Sequence, residues 1–422
     1  MHILPIVGRR SFGIGPVALN LAKQQTALGC EVRVWCADSE EGVHCAVADS
    51  GLPQGVIARY QAFGRSRVYF SPSMERAVDG ADGAIDVVHQ HGVWTALSRV
   101  TNRWRETHKG LTVIAPHGSF AAAALNRSRW KKKIALLAYE TENLRRASCL
   151  HAVSMLEVES LRTYGLRNPV ALIPNGVSEE WLESTGDSSR FLEDLGLREG
   201  RPVMLYLGRV TPIKGLPMLI RALARIRTQL DDWLLVIAGP DEFNHSATIV
   251  DLIEELEMEQ WVRVVGPVYG QQKRDAFAAA SFFVLPSYSE GFPLVVMEAL
   301  GAGVPVLTTK GVSWPELETH NCGWRTEATE DGLVDALTTI VDLPETVLSK
   351  MGHSGKELVI RSYTWSQAAQ KTRFLYHWLL GAGARPDFLI AAESAQQQRQ
   401  HSFPASFRKS GTGVTKGPVE QQ

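Results

Sequence analysis

Two glutamates eight residues apart, Glu290 and Glu298, stand in the stretch Ser289-Glu290-Gly291-Phe292-Pro293-Leu294-Val295-Val296-Met297-Glu298-Ala299-Leu300-Gly301. The apolar run Ser281-Phe282-Phe283-Val284-Leu285-Pro286 ahead of it reads as a buried strand ending at a loop. Pro293 suits the first turn of a helix, where its missing N–H would be unpaired anyway. The pattern therefore predicts Glu290 at the mouth of a helix and Glu298 two turns inside it. A helix mouth also offers free N–H groups and the positive end of a dipole, which favour an anion. The amides of Gly291, Phe292 and Leu294 are the expected phosphate donors; Pro293 has none to give. Amides for an anion and carboxylates for hydroxyls suit a ligand that carries phosphates and a sugar together.

The spacing also weighs against a glycosidase carboxylate pair. Retaining glycosidases hold their carboxyls about 5–5.5 Å apart, whereas eight helical residues rise on the order of 12 Å. The two glutamates thus hold different groups rather than flank one bond.

Further candidates lie on other loops. Gly208-Arg209-Val210-Thr211-Pro212-Ile213-Lys214-Gly215 joins a strand to a helix. Arg209 and Lys214 on such a loop can converge on a diphosphate, although a solvated basic turn would look the same. Gly13-Ile14-Gly15 lets the backbone approach a phosphate, or forms a plain tight turn. Pro116-His117-Gly118-Ser119 follows a strand, and a neutral His117 can bond a hydroxyl or exchange a proton, or simply cap the strand. His89-Gln90-His91 offers two metal ligands without a third, so His91-Gly92-Val93-Trp94 is read as lining a cleft and no metal is assigned. From Asn126 to Arg146 there are seven basic and two acidic residues. Arg127, Arg129, Trp130, Lys131, Lys132 and Lys133 there suit an anionic membrane surface, or a solvated basic helix face.

Taken in order, the Gly-Arg…Lys-Gly loop and the Glu-x7-Glu stretch resemble the signature of retaining glycosyltransferases of family 4, the glycosyl transferases group 1. The resemblance covers about residues 1–380 and implies the GT-B architecture, with the site between two facing domains. By it, Arg209 and Lys214 hold the donor diphosphate, Glu290 lies near the sugar hydroxyls and Glu298 accepts from the ribose. Val268 and Tyr269, in Gly266-Pro267-Val268-Tyr269-Gly270, would grip the base through the backbone. His117 would stand beside the transferred sugar and the acceptor. Gly13 and Gly15 would contact the donor phosphate, although the family shows Gly-Gly here and Pro16 removes an N–H.

The implied reaction moves a hexose from a nucleotide diphosphate sugar to a hydroxyl with retention. The acceptor would be a lipid-linked or surface glycan. No Asp-x-Asp is present, so Arg209 and Lys214 stand where a divalent metal would otherwise serve, and no cofactor is expected. Two rivals remain: a nucleotide-sugar epimerase on the same fold, and a dinucleotide-dependent oxidoreductase. The latter needs Gly-x-Gly-x-x-Gly with an acidic residue about 20 positions on; Gly13-Ile14-Gly15 lacks the third glycine.

The elements that would position these residues follow from periodicity. Short apolar runs alternate with amphipathic stretches, which predicts βα units and parallel sheets. A chain of 422 residues is too long for one core. The fold class expected is α/β: two facing Rossmann-like, doubly wound domains with a cleft between them. The domains are read as 1–180 for the acceptor and 181–363 for the donor, with a closing helix at 364–381 and a disordered tail at 382–422. A net charge of −1 argues against nucleic acid as a partner. Five scattered cysteines fit a reducing cytoplasm. No run approaches the roughly 20 apolar residues of a membrane span, so a cytoplasmic protein is expected, peripheral on the inner face of the membrane if the basic patch acts there.

Overall fold

Alternating apolar runs and amphipathic helices fold here into two sheets whose neighbouring core strands run parallel. A computed structural model describes residues 1–8, 13–63, 68–81, 85–120, 135, 139–183, 185–197 and 200–391. The basic residues Arg127, Arg129, Trp130, Lys131, Lys132 and Lys133, and the tail beyond 391, lie outside the described residues.

The first sheet contains β1 (His2–Leu4), β2 (Val34–Cys36), β3 (Ile57–Arg59), β4 (Val87–His91), β5 (Leu111–Ala115), β6 (Cys149–Ala152) and β7 (Val170–Leu172). Their order is β7-β6-β5-β4-β1-β2-β3. The second contains β8 (Val203–Leu207), β9 (Leu234–Ala238), β10 (Val262–Gly266), β11 (Phe282–Leu285), β12 (Val306–Thr309) and β13 (Gly323–Thr326). Its order is β10-β9-β8-β11-β12-β13. Each order reverses once, between β1 and β4 and between β8 and β11. At such a switch point the following helices leave for opposite faces, which opens a crevice at the strands' carboxyl ends.

Helices on both faces explain why the strands are unbroken apolar runs. Every residue of β8, β9 and β11 is buried. The helix Leu294–Gly301 drives Val296, Met297, Ala299 and Leu300 into that core. Each large side chain so buried contributes about 1.5–3 kcal/mol, which anchors the helix that carries Glu298.

The helix Trp365–Leu379 returns to the first domain. Its N-cap Thr364 accepts from the Gln367 amide, and Trp365, Ala368, Ala369 and Leu375 pack with Val17, Leu21, Val87, Val113, Cys149 and Ala171. Val17 and Leu21 belong to the opening helix, Ile14–Ala27. All five cysteines are free. Among the described residues, no helix is long and apolar enough to cross a membrane.

Two expectations are corrected. Glu290 does not lie in the helix: its amide donates to the Gly311 carbonyl at 2.9 Å, and it bridges Val312 in extended conformation. Pro293 is the N-cap, with extended backbone (φ −73°, ψ 116°), so the helix starts only at Leu294. The chain also does not become a disordered tail at residue 382. Leu389–Ile390 forms β14, antiparallel to Val170–Ala171 of β7. Phe388-Leu389-Ile390 is a short apolar triplet that covers an otherwise open sheet edge.

Gly215 shows how tightly the Lys214 loop is seated. Its φ is +70°, and a Cβ there would lie 2.2 Å from the Pro286 carbonyl oxygen. Gly215→Ala should therefore cost about 2 kcal/mol or more, from backbone strain and the forced displacement of β11's exit. Urea denaturation checks this, and unchanged stability would mean that the two loops are not packed as described.

Candidate functional site

The crevice of the second sheet lies between the loops that leave β8 and β11. Lys214, in the short 3-10 turn Pro212–Lys214, is buried despite its charge. Its Nζ pairs with Oε1 of Glu290, which also accepts from Ser287 Oγ at 3.0 Å. Lysine and glutamate seldom sit this deep unless paired. Tyr206, from inside β8, donates its hydroxyl to the Arg209 carbonyl at 2.7 Å and so shapes the loop. Burial pushes the Tyr206 phenol far above the usual tyrosine range. The Arg209 guanidinium meets Glu242, beyond β9, at 2.7 Å. Lys214 and Glu290 are thus brought together, while Arg209, on the same loop as Lys214, is held by Glu242 of a neighbouring loop, a partner the motif did not indicate.

Glu298 has its own cation. Lys273 Nζ lies 2.5 Å from Glu298 Oε2 and 5.5 Å above the Trp181 ring. Trp181 Nε1 donates to the Glu298 carbonyl at 2.9 Å. Lys273 stands on the helix Gly270–Ala279, directly after Val268 and the exposed Tyr269, so the proposed base loop and Glu298 are tied by one short helix. Nothing in the sequence singles out Lys273, because the contact depends on how two helices pack. The amides of Gly291, Phe292 and Leu294 donate to no acceptor among the described residues. The Phe292 ring stacks on Trp314 at 4.9 Å, which fixes these amides in place.

In the first domain two buried carboxylates pin the candidate loops. Glu157 accepts from the Gly118 amide at 2.6 Å and the Val153 amide at 2.9 Å. Glu140 accepts from the Trp94 amide at 2.8 Å and from Ser98 and Asn143. Burial pushes both carboxyls up from the ordinary range. Held this way, His117 and Trp94 take left-handed backbone angles (φ 51° and 68°), strain of a kind that clusters at functional sites. Gly13 caps the opening helix with φ 119°, and Gly15 lies buried in its first turn.

Behind His117 stands a group of histidines that sequence reasoning reached only in part. His91 Nδ1 and His117 Nε2 are 3.0 Å apart, and His91 Nε2 and His2 Nδ1 2.9 Å apart. His89 contacts His151 at 3.2 Å and the Tyr376 hydroxyl at 2.7 Å. His2, His89 and His91 bring their ligand atoms within 4.8 Å of one another, so His2 is the third partner that His89 and His91 lacked. Its place follows from β1 pairing with β4, where His2 stands opposite His89.

Residues 12–176 match the model of the glycosyl transferase 4-like domain, and residues 187–357 that of glycosyl transferases group 1. The chain is 26% identical over 323 residues to the alpha-maltose-1-phosphate synthase of Mycolicibacterium smegmatis, covering 71% of this chain and 80% of that protein. It is 31% identical over 224 residues to the D-inositol 3-phosphate glycosyltransferase of Kribbella flavida, covering 49% and 50%. Among solved structures, the sucrose-phosphate synthase of Thermosynechococcus elongatus superposes with a TM-score of 0.70 at 21% identity, over 90% of this chain and 99% of that one. Anabaena HepE in complex with UDP and glucose does so with a TM-score of 0.69 at 18% identity, over 88% and 97%. At these identities the structural likeness speaks for the fold.

The histidines make stability depend on pH. Burial lowers His2 and His117 to about 3 and His151 to about 4, and holds His89 and His91 well below the ordinary value. An unfolded histidine binds its proton near pH 6.5, so the unfolded chain takes up more protons and stability falls as pH drops. The loss should set in as pH falls through 6.5 and continue to about pH 3. Thermal unfolding at pH 5 should take up close to one proton per buried histidine; a melting temperature flat from pH 7 to 5 would contradict the burial.

Proposed function

Since the chain belongs to the glycosyl transferases group 1 and carries the GT-B fold, we propose that it is a retaining hexosyltransferase using a nucleotide diphosphate sugar. The observation that carries this reading is the set of amides at Gly291, Phe292 and Leu294, without an acceptor among the described residues, beside the Lys214–Glu290 ion pair at the switch point of the second sheet. A diphosphate suits those amides. Lys214 and Arg209 then neutralise the charge that builds on the departing phosphate, where preorganised cations act most strongly. No metal is needed for that step.

Once a phosphate engages Lys214, Glu290 is free to accept from hydroxyls of the transferred sugar. Glu298 accepts from the ribose, with Lys273 paired to its carboxylate. The new bond forms between the acceptor oxygen and the anomeric carbon as the bond to the phosphate oxygen breaks on the same face. The acceptor proton passes to the leaving phosphate. His117 orients a sugar hydroxyl from the opposite domain. The UDP and glucose held by Anabaena HepE support a uridine diphosphate sugar as the donor.

For the acceptor, the basic stretch 126–146 favours a lipid-linked or surface glycan on the inner face of a membrane. A second reading comes from the relatives, one of which is named for D-inositol 3-phosphate: a small phosphorylated acceptor. An epimerase on this fold would need no acceptor at all.

The test is a panel of UDP-, GDP- and ADP-sugars with wild type, Lys214→Ala and Glu298→Gln, followed by thermal shift, turnover and the anomeric proton signals of the product. One donor should raise the melting temperature. Lys214→Ala should lower kcat by roughly 100- to 1,000-fold, as loss of one charge-stabilising donor does, and Glu298→Gln should act mainly on donor KM. Failure of every nucleotide sugar to bind would sink the proposal. Turnover without acceptor to an epimerised sugar would select the rival.

A further inference from the structure

Five imidazoles, an amide and a phenol in the first domain form one path, hydrogen-bonded at each step except between Tyr376 and Gln25, and its polarity can be worked out from one end. The Ile173 carbonyl only accepts, so His151 Nε2–H donates to it at 2.8 Å. A neutral imidazole has one hydrogen to give. His151 Nδ1 is then an acceptor, and the hydrogen between the rings belongs to His89 Nε2, 3.2 Å away. His89 Nδ1 in turn accepts from the Tyr376 hydroxyl at 2.7 Å.

With its hydrogen committed, Tyr376 has only lone pairs to offer Gln25, which lines the same cavity beside it. The amide nitrogen of Gln25 therefore belongs on the Tyr376 side, where it makes no hydrogen bond of regular geometry. Its Oε1 faces His2 Nε2 at 2.8 Å. His2 must donate from Nε2, so its Nδ1 accepts from His91 Nε2–H at 2.9 Å. By the same step His91 Nδ1 accepts from His117 Nε2–H at 3.0 Å. Every nitrogen of His2, His89 and His91 is engaged in the path, which leaves no lone pair over for a cation.

We propose that this path locks His117 as the tautomer protonated at Nε2, so that Nδ1 receives a hydrogen bond from a substrate hydroxyl instead of giving one. Nδ1 of His117 has no partner among the described residues, so its lone pair is open to that hydroxyl. The role for substrate rests on the reading that His117 lies beside the transferred sugar; the lock itself does not. Gln25 and Tyr376 act as positioning residues, through other side chains. Gln25 stands on the opening helix and Tyr376 on the helix that returns from the second domain, so the packing of those two helices sets the proton position at His117. A site with a bare lone pair selects a group that has a hydrogen to give. A hydroxyl satisfies it, and a methyl ether at the same position does not.

The test uses the full-length protein labelled at histidine with nitrogen-15, read by proton–nitrogen correlation at neutral pH. In the wild type His117 should be a single tautomer protonated at Nε2. Gln25→Met removes the acceptor at the start of the branch, so His2, His91 and His117 should become tautomer mixtures. His89 and His151, fixed by the Ile173 carbonyl, should not change, which also reports that the domain is folded. Tyr376→Phe, a second variant that loses only the hydroxyl orienting Gln25, should mix the same three rings. In the transfer assay Gln25→Met should lower kcat roughly tenfold, the scale of one hydrogen bond, with donor KM unchanged. His117 protonated at Nδ1 in the wild type, or unmoved in Gln25→Met, would overturn the proposal. A locked His117 in a protein that transfers no sugar would count against the activity and leave the path standing.

Discussion

Adjacent parallel strands whose helices leave for opposite faces cannot close the gap between their exit loops, and both sheets have one such place. In the second domain it falls between β8 and β11, so the Arg209–Lys214 loop and the Glu290 loop are the two walls of a crevice. Past the Glu290 bridge the backbone has no strand to pair with, which is why the amides of Gly291, Phe292 and Leu294 find no acceptor among the described residues. The rest of the site is a response to that gap. Lys214 and Glu290 neutralise each other across it, Gly215 lets the first wall pack on the carbonyl of Pro286, and Tyr206 props that same wall from within its own strand.

The first domain meets the same constraint with different chemistry. Glu140 and Glu157 sit under the loops after β4 and β5 and satisfy their amides, which holds Trp94 and His117 in left-handed conformations that would otherwise relax. Burying polar groups is costly unless each finds a partner. The histidines of β1, β4 and β6 meet that condition among themselves, with a backbone carbonyl at one end and a glutamine amide at the bend. The result is a polar seam inside a core otherwise made of Val17, Leu21, Val113 and Leu375.

Much of this was legible in the residues, and the boundary has a physical cause. The Glu-x7-Glu stretch and the Gly-Arg…Lys-Gly loop are local patterns, set by what a strand exit and a helix start require, and they could be read in place. Arg209 and Lys214 looked alike as cations, yet only contact between distant segments assigns Glu242 to one and Glu290 to the other. Lys273 carries no local mark at all, since its partner is a helix away. Pro293 reads as part of the first turn of the helix and is its cap, because the Gly311 carbonyl draws the Glu290 amide into a bridge. Phe388–Ile390 was hidden because three apolar residues mean little until an open sheet edge lies beside them.

The histidine seam constrains how such a protein can change over generations. Each ring satisfies its neighbour, so no single member can be replaced without stranding a donor or an acceptor in the interior. Conventional one-step drift is closed at these positions; residues from the opening strand, two later strands, a loop and two helices would have to be exchanged together. Sequence change in the first domain is therefore expected to flow around the seam, through the surface helices and the acceptor-side loops, while the seam passes between descendants whole or is lost whole.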